Sequence, residues 1–477
     1  CEKGWFPKNP KRIGTGYYSD AEEVKKMNEP LQGNFEGIGV QFQMIEDTLL
    51  VVQPVSNGPS EKIGILAGDR IIAVNDSAIA GVKMSTEEIM KRLRGPKGSK
   101  VNLKIVRRGV QDPLVFTVKR DKIPILSLDA SYMIQPKTGY IRINRFGATT
   151  AEEFKKAMKE LQKQGMKDMI LDLQGNGGGY LNAAIDLANE FLSQKELIVY
   201  TEGRTAKRSD FYAKGNGEFR NGRLIVLVDE YTASASEIVS GAVQDWDRGI
   251  IVGRRSFGKG LVQRPIDLPD GSMIRLTIAR YYTPAGRCIQ KPYDSSTDYN
   301  KDLIERFNHG ELMNADSIHF PDSLKVQTKK LGRTVYGGGG IMPDYFVPID
   351  TTLYTDYHRN LVAKGAVIKF TMKFIEGHRK ELANKYKKFE SFNEKFIIDD
   401  DMLATLREMG EKEGVKFNEE QYQKSLPLIK TQLKALIARD LWDMNEYFRV
   451  MNTTNESVQK ALEILNSEEY QKKLRAN

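Results

Sequence analysis

Hydrophobic residues recur along this chain with two different periods, and the change of period marks its domains. Between residues 36 and 121, short apolar runs alternate with polar residues at a period of two, which predicts strands. One helix is predicted up to residue 93, because Ser85 and Glu88 have the spacing of a capping box. The predicted strands are 39–43, 49–52, 70–74, 101–106 and 114–118. This segment is expected to be a small β-rich domain.

From residue 122 onward, predicted strands and helices follow each other in turn. Such alternation predicts an α/β core with parallel strands, here over 122–364, with a polar, irregular insertion at about 291–335. The strands are predicted at 140–144, 169–173, 197–200, 224–228, 250–252 and 273–282, and the helices at 151–161 and 181–192. Beyond 365, apolar residues at helical spacing predict a helical extension over 365–477 that packs on the core or forms a homo-oligomer contact.

Composition narrows the function classes. The chain has 477 residues, 40% hydrophobic and 28% charged, as is typical of a globular protein of two to four domains. Its net charge is +9, but the basic residues are interspersed with acidic ones and form no basic stripe, so nucleic-acid binding is not expected. No apolar run approaches the ~18 residues of a membrane-spanning helix. With only Cys1 and Cys288, a disulfide framework or a cysteine zinc site is excluded.

The chemistry of the chain is concentrated in residues 231–263. Ser234 lies where strand 224–228 is expected to turn into a helix, whose first N–H groups can face a developing negative charge. Lys259 follows between two glycines, and Gln263 lies one helical-type step further on. Serine needs a base to remove its proton, and a lysine that its surroundings keep neutral can do this. The residues therefore favour a serine–lysine protease.

The same stretch has features of three other kinds of site. A Ser–His–Asp triad is disfavoured, because none of the four histidines lies in a motif that connects it to Ser234. Residues 253–259 match the phosphate-loop pattern G-x-x-x-x-G-K, but Gly260 replaces the hydroxyl residue and a strand pattern follows. A structural serine in a close-packed helix, with Lys259 in a solvated loop, stays open on these residues alone.

Residues 232–237, the run 257–260 and Gln263 together resemble the active site of the carboxyl-terminal processing peptidases, also called tail-specific proteases. In that family the lysine follows the nucleophile by 25 positions and a glutamine follows the lysine by four, as here. The resemblance implies Ser234 as nucleophile, Lys259 as base and Gln263 as its partner, with Ser236 structural. Thr232 replaces the usual serine.

Residues 172–179, Asp-Leu-Gln-Gly-Asn-Gly-Gly-Gly, resemble the family's Asp-Leu-Arg-x-Asn-Pro-Gly-Gly. The resemblance implies that Gly178 or Gly179 offers a backbone N–H to the oxyanion, with Ala235 as the second donor. Gln174 and Gly177 stand where the family has arginine and proline. Without that proline, the loop is expected to be less rigid before substrate binds.

Residues 37–40, 67–72 and 93–98 resemble a PDZ domain. The resemblance implies that Gly37, Ile38, Gly39 and Val40 hold the terminal carboxylate of a protein or peptide substrate on backbone N–H groups. Residues 337–344 resemble a further segment of the carboxyl-terminal processing peptidases, so the likeness to that family extends over about 36–350.

The expected fold is α/β: a crotonase-like or Clp-protease-like core at 122–364 with an inserted PDZ domain at 36–121, an N-terminal segment at 1–35 and the helical extension. The expected function is a serine endopeptidase that recognises substrate C-termini and needs neither cofactor nor metal. The alternatives are an inactive PDZ scaffold and, from the fold class alone, an acyl-CoA enzyme of the crotonase type.

The start of the chain suggests a location. A sequence beginning at Cys1 is typical of a bacterial lipoprotein after removal of its signal peptide, which predicts a lipid-anchored protein of the periplasm or cell envelope. An arbitrary start of the sequence is the open alternative. A helix over 20–28 with Asp20 as N-cap is the one clear element predicted in this segment.

Overall fold

The computed structural model describes residues 11–13, 16–292 and 301–475. Cys1, the expected lipid anchor, lies outside the described residues. The chain divides into two compact units. The first contains the described residues up to Gly33, then Leu126–Asp350 and the described residues from Asn455 onward, whereas the second contains Asn34–Ile125 and Thr351–Thr454. Each unit is thus assembled from separate stretches of sequence.

A six-stranded sheet forms the centre of the first unit. Its strands, in spatial order, are Leu128–Gln135, Thr138–Ile143, Asp168–Asp172, Leu224–Val228, Ile250–Gly253 and Tyr345–Phe346. All neighbours are parallel except the first pair. Strands Asp168–Asp172 and Leu224–Val228 are buried throughout, as parallel strands covered on both faces are. The predicted α/β core with parallel strands is therefore confirmed, except that the predicted strands at 197–200 and 273–282 lie in a second sheet, where they pair antiparallel.

Helices cover this sheet and contribute most of the remaining core. The helices of the first unit are Ala21–Gln32, Thr150–Lys163, Leu181–Asn189, Ala235–Asp245, Asp302–Asn308, Glu456–Asn466 and Glu469–Lys473. The first of them begins with the expected N-cap Asp20, which forms a capping box with Glu23, but the helix continues past residue 28 and ends at Gly33, whose φ is +76°. The helix Ala235–Asp245 is buried along its whole length.

A second sheet in this unit carries part of the site. Its strands are Lys11–Ile13, Gly16–Ser19, Met273–Tyr282, Leu197–Glu202 and Ser209–Tyr212, with Leu261–Asp267 pairing antiparallel to Met273–Tyr282. The described part of the expected irregular insertion contains regular elements. These include the helix Asp302–Asn308, two short 3-10 turns at Ala315–Ser317 and Asp322–Leu324, and a hairpin of Lys325–Gln327 with Thr334–Tyr336.

The predicted C-terminal extension is divided between the two units. Helix Glu456–Asn466 belongs to the first unit, where Val458, Ala461, Ile464 and Leu465 are buried. The helices of the extension in the second unit are Asp356–Ala363, Ala366–Lys385, Phe389–Lys395, Asp400–Lys412, Glu419–Leu441 and Met444–Met451. Apolar spacing predicts that such segments are helical, but it does not tell which partner each apolar face finds. No described helix is both long and apolar enough to cross a bilayer.

The β-rich part of the second unit is the expected small domain. Its main sheet has the order Val40–Ile45, Thr48–Pro54, Arg70–Val74, Lys100–Val106 and Leu114–Lys119, with Ser77–Ala78 beside Arg70–Val74. Asn34–Gly37 pairs separately with Asp121–Pro124. The domain's helices are Pro59–Lys62 and Thr86–Leu93, the latter with the predicted capping box at Ser85. Strand Val40–Ile45 lies at an edge of the sheet.

Candidate active site

Ser234 lies at the turn between a buried strand and a buried helix. Strand Leu224–Val228 ends shortly before it, and helix Ala235–Asp245 begins directly after it. Its φ is +58° and its ψ −114°. Residues other than glycine rarely adopt this backbone conformation, which costs about 1–3 kcal/mol. Such strain persists only where the surroundings impose it. Here the hydroxyl of buried Thr232 donates to Leu173 O at 2.9 Å, and that of buried Ser236 donates to Asn176 O at 3.0 Å.

The carboxylate of Glu237 connects the Ser234 turn to the lysine segment. Its Oε2 accepts the N–H of Ser234 at 2.8 Å and that of Lys259 at 2.9 Å. Its Oε1 accepts the N–H of Gly258 at 2.7 Å and the hydroxyl of Ser256 at 2.5 Å. Burial raises the pKa of Glu237, and the four donors oppose that rise. Sequence reasoning assigned this residue no role, although a Glu three residues after a serine at a helix start is a capping-box pattern.

Lys259 and Gln263 line the same cavity as Ser234. The prediction that Gln263 follows Lys259 by a helical step is wrong, because Gln263 lies on strand Leu261–Asp267. In a strand, alternate side chains face the same side. Accordingly Leu261, Gln263, Pro265 and Asp267 line the cavity, and Val262 joins them where the strand pairing shifts register between Val262 and Gln263. The strand thereby extends one wall of the cavity away from Lys259.

The environment of Lys259 favours the neutral amine. Burial is the main cause that lowers its pKa from the ordinary 10.5, and the positive charge of Arg275 lowers it further. The negative charge of Glu237 acts in the opposite direction. Because Glu237 binds the backbone N–H of Lys259, it fixes the position of this residue while the ammonium form stays disfavoured.

The glycine loop runs directly against the Ser234 turn. A side-chain carbon at Gly178, whose φ is +99°, would lie 2.8 Å from Ser234 Cβ and 2.9 Å from the nitrogen of Ala235, so only glycine fits there. Asn176 holds this approach: its backbone oxygen accepts the N–H of Ala233 at 3.0 Å as well as the Ser236 hydroxyl. Its side-chain amide donates to Ile143 O. Asn176 was not singled out from the sequence, since its role appears only when the loop and the helix are brought together.

The two expected oxyanion donors differ in this conformation. Ala235 is the first residue of the helix, and its N–H donates to no acceptor in the described part of the chain. The N–H of Gly178 instead donates to Asn176 Oδ1 at 2.8 Å. Gly179 lines the cavity. The role expected of Gly178 and Ala235 stays a prediction, and Gly178 could serve only after its N–H leaves Asn176.

Gln174, which stands where the family has arginine, is held by the C-terminal part of the first unit. Its side-chain oxygen accepts from Asn455 Nδ2 at 3.1 Å, and its amide nitrogen donates to the Ser457 hydroxyl at 3.4 Å. Its backbone oxygen accepts from Arg142, which also pairs with buried Asp172. The loop is therefore anchored at its start by polar contacts on both sides.

The cavity that these residues share has a volume of about 470 Å³. Its walls combine apolar side chains with a few polar and charged groups, as is common for sites that bind organic ligands. Helix Ala21–Gln32 contributes Met27, Asn28 and Leu31. Further lining residues include Tyr180, Leu181, Val262, Met273, Arg275 and Tyr281.

The loop predicted to bind a carboxylate, Gly37–Ile38–Gly39–Val40, leads into the edge strand Val40–Ile45. Gly39 has a φ of +72°, and a side-chain carbon there would lie 2.8 Å from Ile123 Cδ1. Ile38 O accepts from the Ser60 hydroxyl at 2.6 Å, which fixes the loop. Across the described residues, the N–H groups of Ile38 and Gly39 donate to no acceptor. This arrangement leaves both N–H groups available for a ligand, and the carboxylate role stays a prediction.

Comparison with known protein families gives three matches. Residues 137–297 match the model of peptidase family S41, and residues 37–122 match the PDZ domain. Residues 357–443 match a family of unknown function. The predicted PDZ domain is thereby confirmed.

Individual proteins are also similar to this chain. A probable CtpA-like serine protease of Staphylococcus aureus (strain MRSA252) is 31% identical over 398 residues, or 82% of this chain and 75% of that protein. A carboxy-terminal-processing protease of Bartonella bacilliformis is 39% identical over 57% of this chain, which spans 63% of that protein's length. Among solved structures, the photosystem II D1 C-terminal processing protease is 27% identical, with a TM-score of 0.36 over 72% of this chain and 80% of that one. The chain therefore belongs to peptidase family S41, as a PDZ-containing member related to the carboxy-terminal processing serine proteases.

Proposed function

We propose that this protein is a serine endopeptidase in which Ser234 is the nucleophile, Lys259 the general base and Gln263 the residue that orients the amine. The observation that carries the proposal is the placement of Lys259, with its lowered pKa, in the same cavity as Ser234. One buried carboxylate, that of Glu237, binds the backbone N–H of both residues. Such a pair of nucleophile and base in a shared cavity is what acyl transfer requires.

In the first half-reaction, the neutral amine of Lys259 takes the hydroxyl proton of Ser234 as Oγ attacks the scissile carbonyl carbon. The carbonyl oxygen becomes an oxyanion, which the N–H of Ala235 and one N–H of the glycine loop stabilise. Each such donor is typically worth about 3–4 kcal/mol in the transition state. The Lys259 ammonium then donates its proton to the peptide nitrogen, the C–N bond breaks and an ester on Ser234 remains.

In the second half-reaction, water replaces the departed amine. Lys259 takes a proton from the water molecule as the water oxygen attacks the ester carbon, and the same donors stabilise the second oxyanion. The bond from carbon to Oγ breaks, Lys259 returns the proton to Oγ and a free carboxylic acid leaves. Gln263 can hydrogen-bond to the amine without adding a charge, so it orients Lys259 without favouring the ammonium.

The PDZ domain is proposed to select the substrate by its C-terminal end. An extended peptide added beside the edge strand Val40–Ile45 would place its terminal carboxylate near the N–H groups of Ile38 and Gly39. Cleavage would then occur in the same polypeptide at a peptide bond near that end. The substrates are accordingly proteins or peptides with exposed C-termini.

Ser234→Ala tests the proposal. We expect this variant to fold like the wild type, to lose all peptide-bond cleavage and to lose labelling by a fluorophosphonate probe. Ser236→Ala is the matched control. Because it removes the hydrogen bond to Asn176 O, it should lower the free energy of unfolding by about 1 kcal/mol, but it should keep measurable activity. A wild-type protein that binds C-terminal peptides yet neither labels nor cleaves would instead favour an inactive PDZ scaffold.

A further inference from the structure

Arg275 is a positively charged residue of the cavity to which the mechanism above assigns no role. It lies on strand Met273–Tyr282, opposite Pro265 of the neighbouring strand. Residues opposite each other in an antiparallel pair face the same side, and both Pro265 and Arg275 line the cavity together with Ser234. The side chain is half-buried. Its guanidinium thus belongs to the wall against which a substrate would lie.

Within the described residues, Arg275 forms neither a hydrogen bond nor an ion pair. Among the described residues that line the cavity, Asp267 alone is acidic; it is paired in the sheet with Met273 and forms no ion pair with Arg275. Other half-buried arginines of the same unit do have acceptors. Arg142, Arg254 and Arg333 pair with carboxylates, and Arg248 donates to two backbone oxygens. Leaving a partly desolvated charge without a counter-charge is unfavourable. A bound anion would remove that cost.

The chemistry of guanidinium identifies the class of anion. Its planar set of donors matches a carboxylate, to which it can form two parallel hydrogen bonds. Burial lowers the pKa of Arg275, but a guanidinium keeps its proton across the range in which the enzyme would act. Lys259, the other cation of the cavity, must be neutral to act as a base. Arg275 is therefore the group suited to hold a negative charge on the substrate.

We propose that Arg275 binds a carboxylate of the substrate next to the scissile bond, so that the cavity selects peptides with an acidic side chain or a free α-carboxylate at that position. This inference rests on the proposed peptidase function. It adds a preference inside the cavity to the proposed recognition of the C-terminus by the PDZ domain.

The consequence for Lys259 provides an independent readout. The charge of Arg275 lowers the pKa of Lys259, and a carboxylate bound to Arg275 would cancel part of that effect. The pH dependence of kcat, which reports the enzyme–substrate complex, should therefore lie at higher pH for an acidic peptide than for its neutral counterpart. In Arg275→Gln the two peptides should share one profile.

The experiment compares the full-length wild type with Arg275→Gln and Arg275→Lys. Cleavage sites in a tryptic peptide library are mapped by mass spectrometry, and quenched fluorescent peptides are then made in pairs with Glu or Gln at each position near the cleaved bond. A second set compares short tails ending in a free acid or an amide, which distinguishes a side-chain from an α-carboxylate. We expect the wild type to cleave one acidic member with a kcat/KM about 10- to 100-fold above its neutral partner. Arg275→Gln should lose that ratio, and Arg275→Lys should keep part of it.

Arg264→Gln is the matched control, because this exposed arginine lies on the adjacent strand and does not line the cavity. It should keep the wild-type preference. Equal cleavage of acidic and neutral peptides by the wild type would overturn the inference. So would an Arg275→Gln variant that slows every peptide by the same factor, since Arg275 would then act on Lys259 alone. Absence of both cleavage and Ser234 labelling in the wild type would refute the peptidase function itself and is thus a separate outcome.

Discussion

Ser234 and Lys259, 25 residues apart in sequence, donate their backbone N–H groups to the same oxygen of Glu237, at 2.8 and 2.9 Å. One buried carboxylate therefore fixes the backbone of Ser234 relative to that of Lys259. The other oxygen of that carboxylate binds Ser256 and Gly258, so the start of the helix and the whole lysine segment share one centre.

Replacing Glu237 with glutamine should separate these segments. A glutamine side chain has one acceptor oxygen and an NH₂ group, which would face backbone donors. We expect a loss of about 1.5–3 kcal/mol in the free energy of unfolding and at least a tenfold loss of kcat/KM, measured by denaturant titration and peptide cleavage. Glu160→Gln, at an exposed helix position, should change stability by less than about 0.5 kcal/mol and leave turnover intact. Wild-type activity in Glu237→Gln would show that the carboxylate does not position the pair.

The pKa of Lys259 predicts how both activity and stability depend on pH. Because burial lowers that pKa, activity should rise with pH through an apparent pKa below 10.5. The unfolded chain binds this proton more tightly than the native state does. The contribution of Lys259 to the free energy of unfolding is therefore lowest at a pH below the native pKa. It increases as the pH rises from the native pKa to 10.5.

Lys259→Met separates the two effects. It should be inactive, yet at neutral pH it should unfold at a higher denaturant concentration than the wild type, and the difference should shrink as the pH approaches 10.5. Lys259→Arg should be inactive as well, since guanidinium cannot release its proton in this range. Substantial turnover by Lys259→Arg would mean that another group is the base.

The close approach at Gly178 should not tolerate a side chain. Gly178→Ala would place a carbon within 3 Å of Ser234 and Ala235, and its φ of +99° is strained for alanine, so we expect loss of activity. Gly175→Ala is a stringent control from the same loop: its φ is +73°, but the nearest atom to the added carbon is Arg142 Nη2 at 3.8 Å. This control should cost about 1 kcal/mol of stability while cleavage persists. Equal inactivation of both variants would point to general loop strain.

Recognition of a terminal carboxylate can be measured without cleavage in the full chain carrying Ser234→Ala. We expect a peptide with a free C-terminus to bind more tightly than its amidated form, in a calorimetric titration. Adding Gly39→Ala, which collides with Ile123, should abolish the difference. Gly109→Ala, at a φ of +83° with open space around it, should preserve it. Comparable affinity for acid and amide in the starting protein would contradict the proposed role of the loop.

The sequence predicted the elements well where short apolar runs form buried or half-buried strands, as in Arg70–Val74 and Leu224–Val228. It also identified Ser234, Lys259 and Gln263, which the structure places around one cavity. It missed Arg275, because a single arginine in a strand becomes notable only when its neighbours are known to leave it unpaired.

Two differences have a common physical origin. The spacing predicts a helical step from Lys259 to Gln263, whereas Gln263 lies on a strand. The pattern predicts one extension over 365–477, whereas helix Glu456–Asn466 belongs to the first unit and the residues up to Thr454 belong to the second. In both cases the decisive contacts are with residues remote in sequence. Local propensity and spacing do not contain that information.

The hydrogen bond between Gln174 and Asn455 joins residues 281 positions apart. During synthesis, residues 351–454 emerge after Gln174 and before Asn455, and residues 34–125 emerge before both. The anchor at the start of the glycine loop can therefore close only once the whole second unit, including its PDZ domain, has left the ribosome. During translation, the PDZ domain is therefore complete before the glycine loop beside Ser234 is anchored, so the proposed substrate-binding domain can fold before the proposed catalytic loop is fixed.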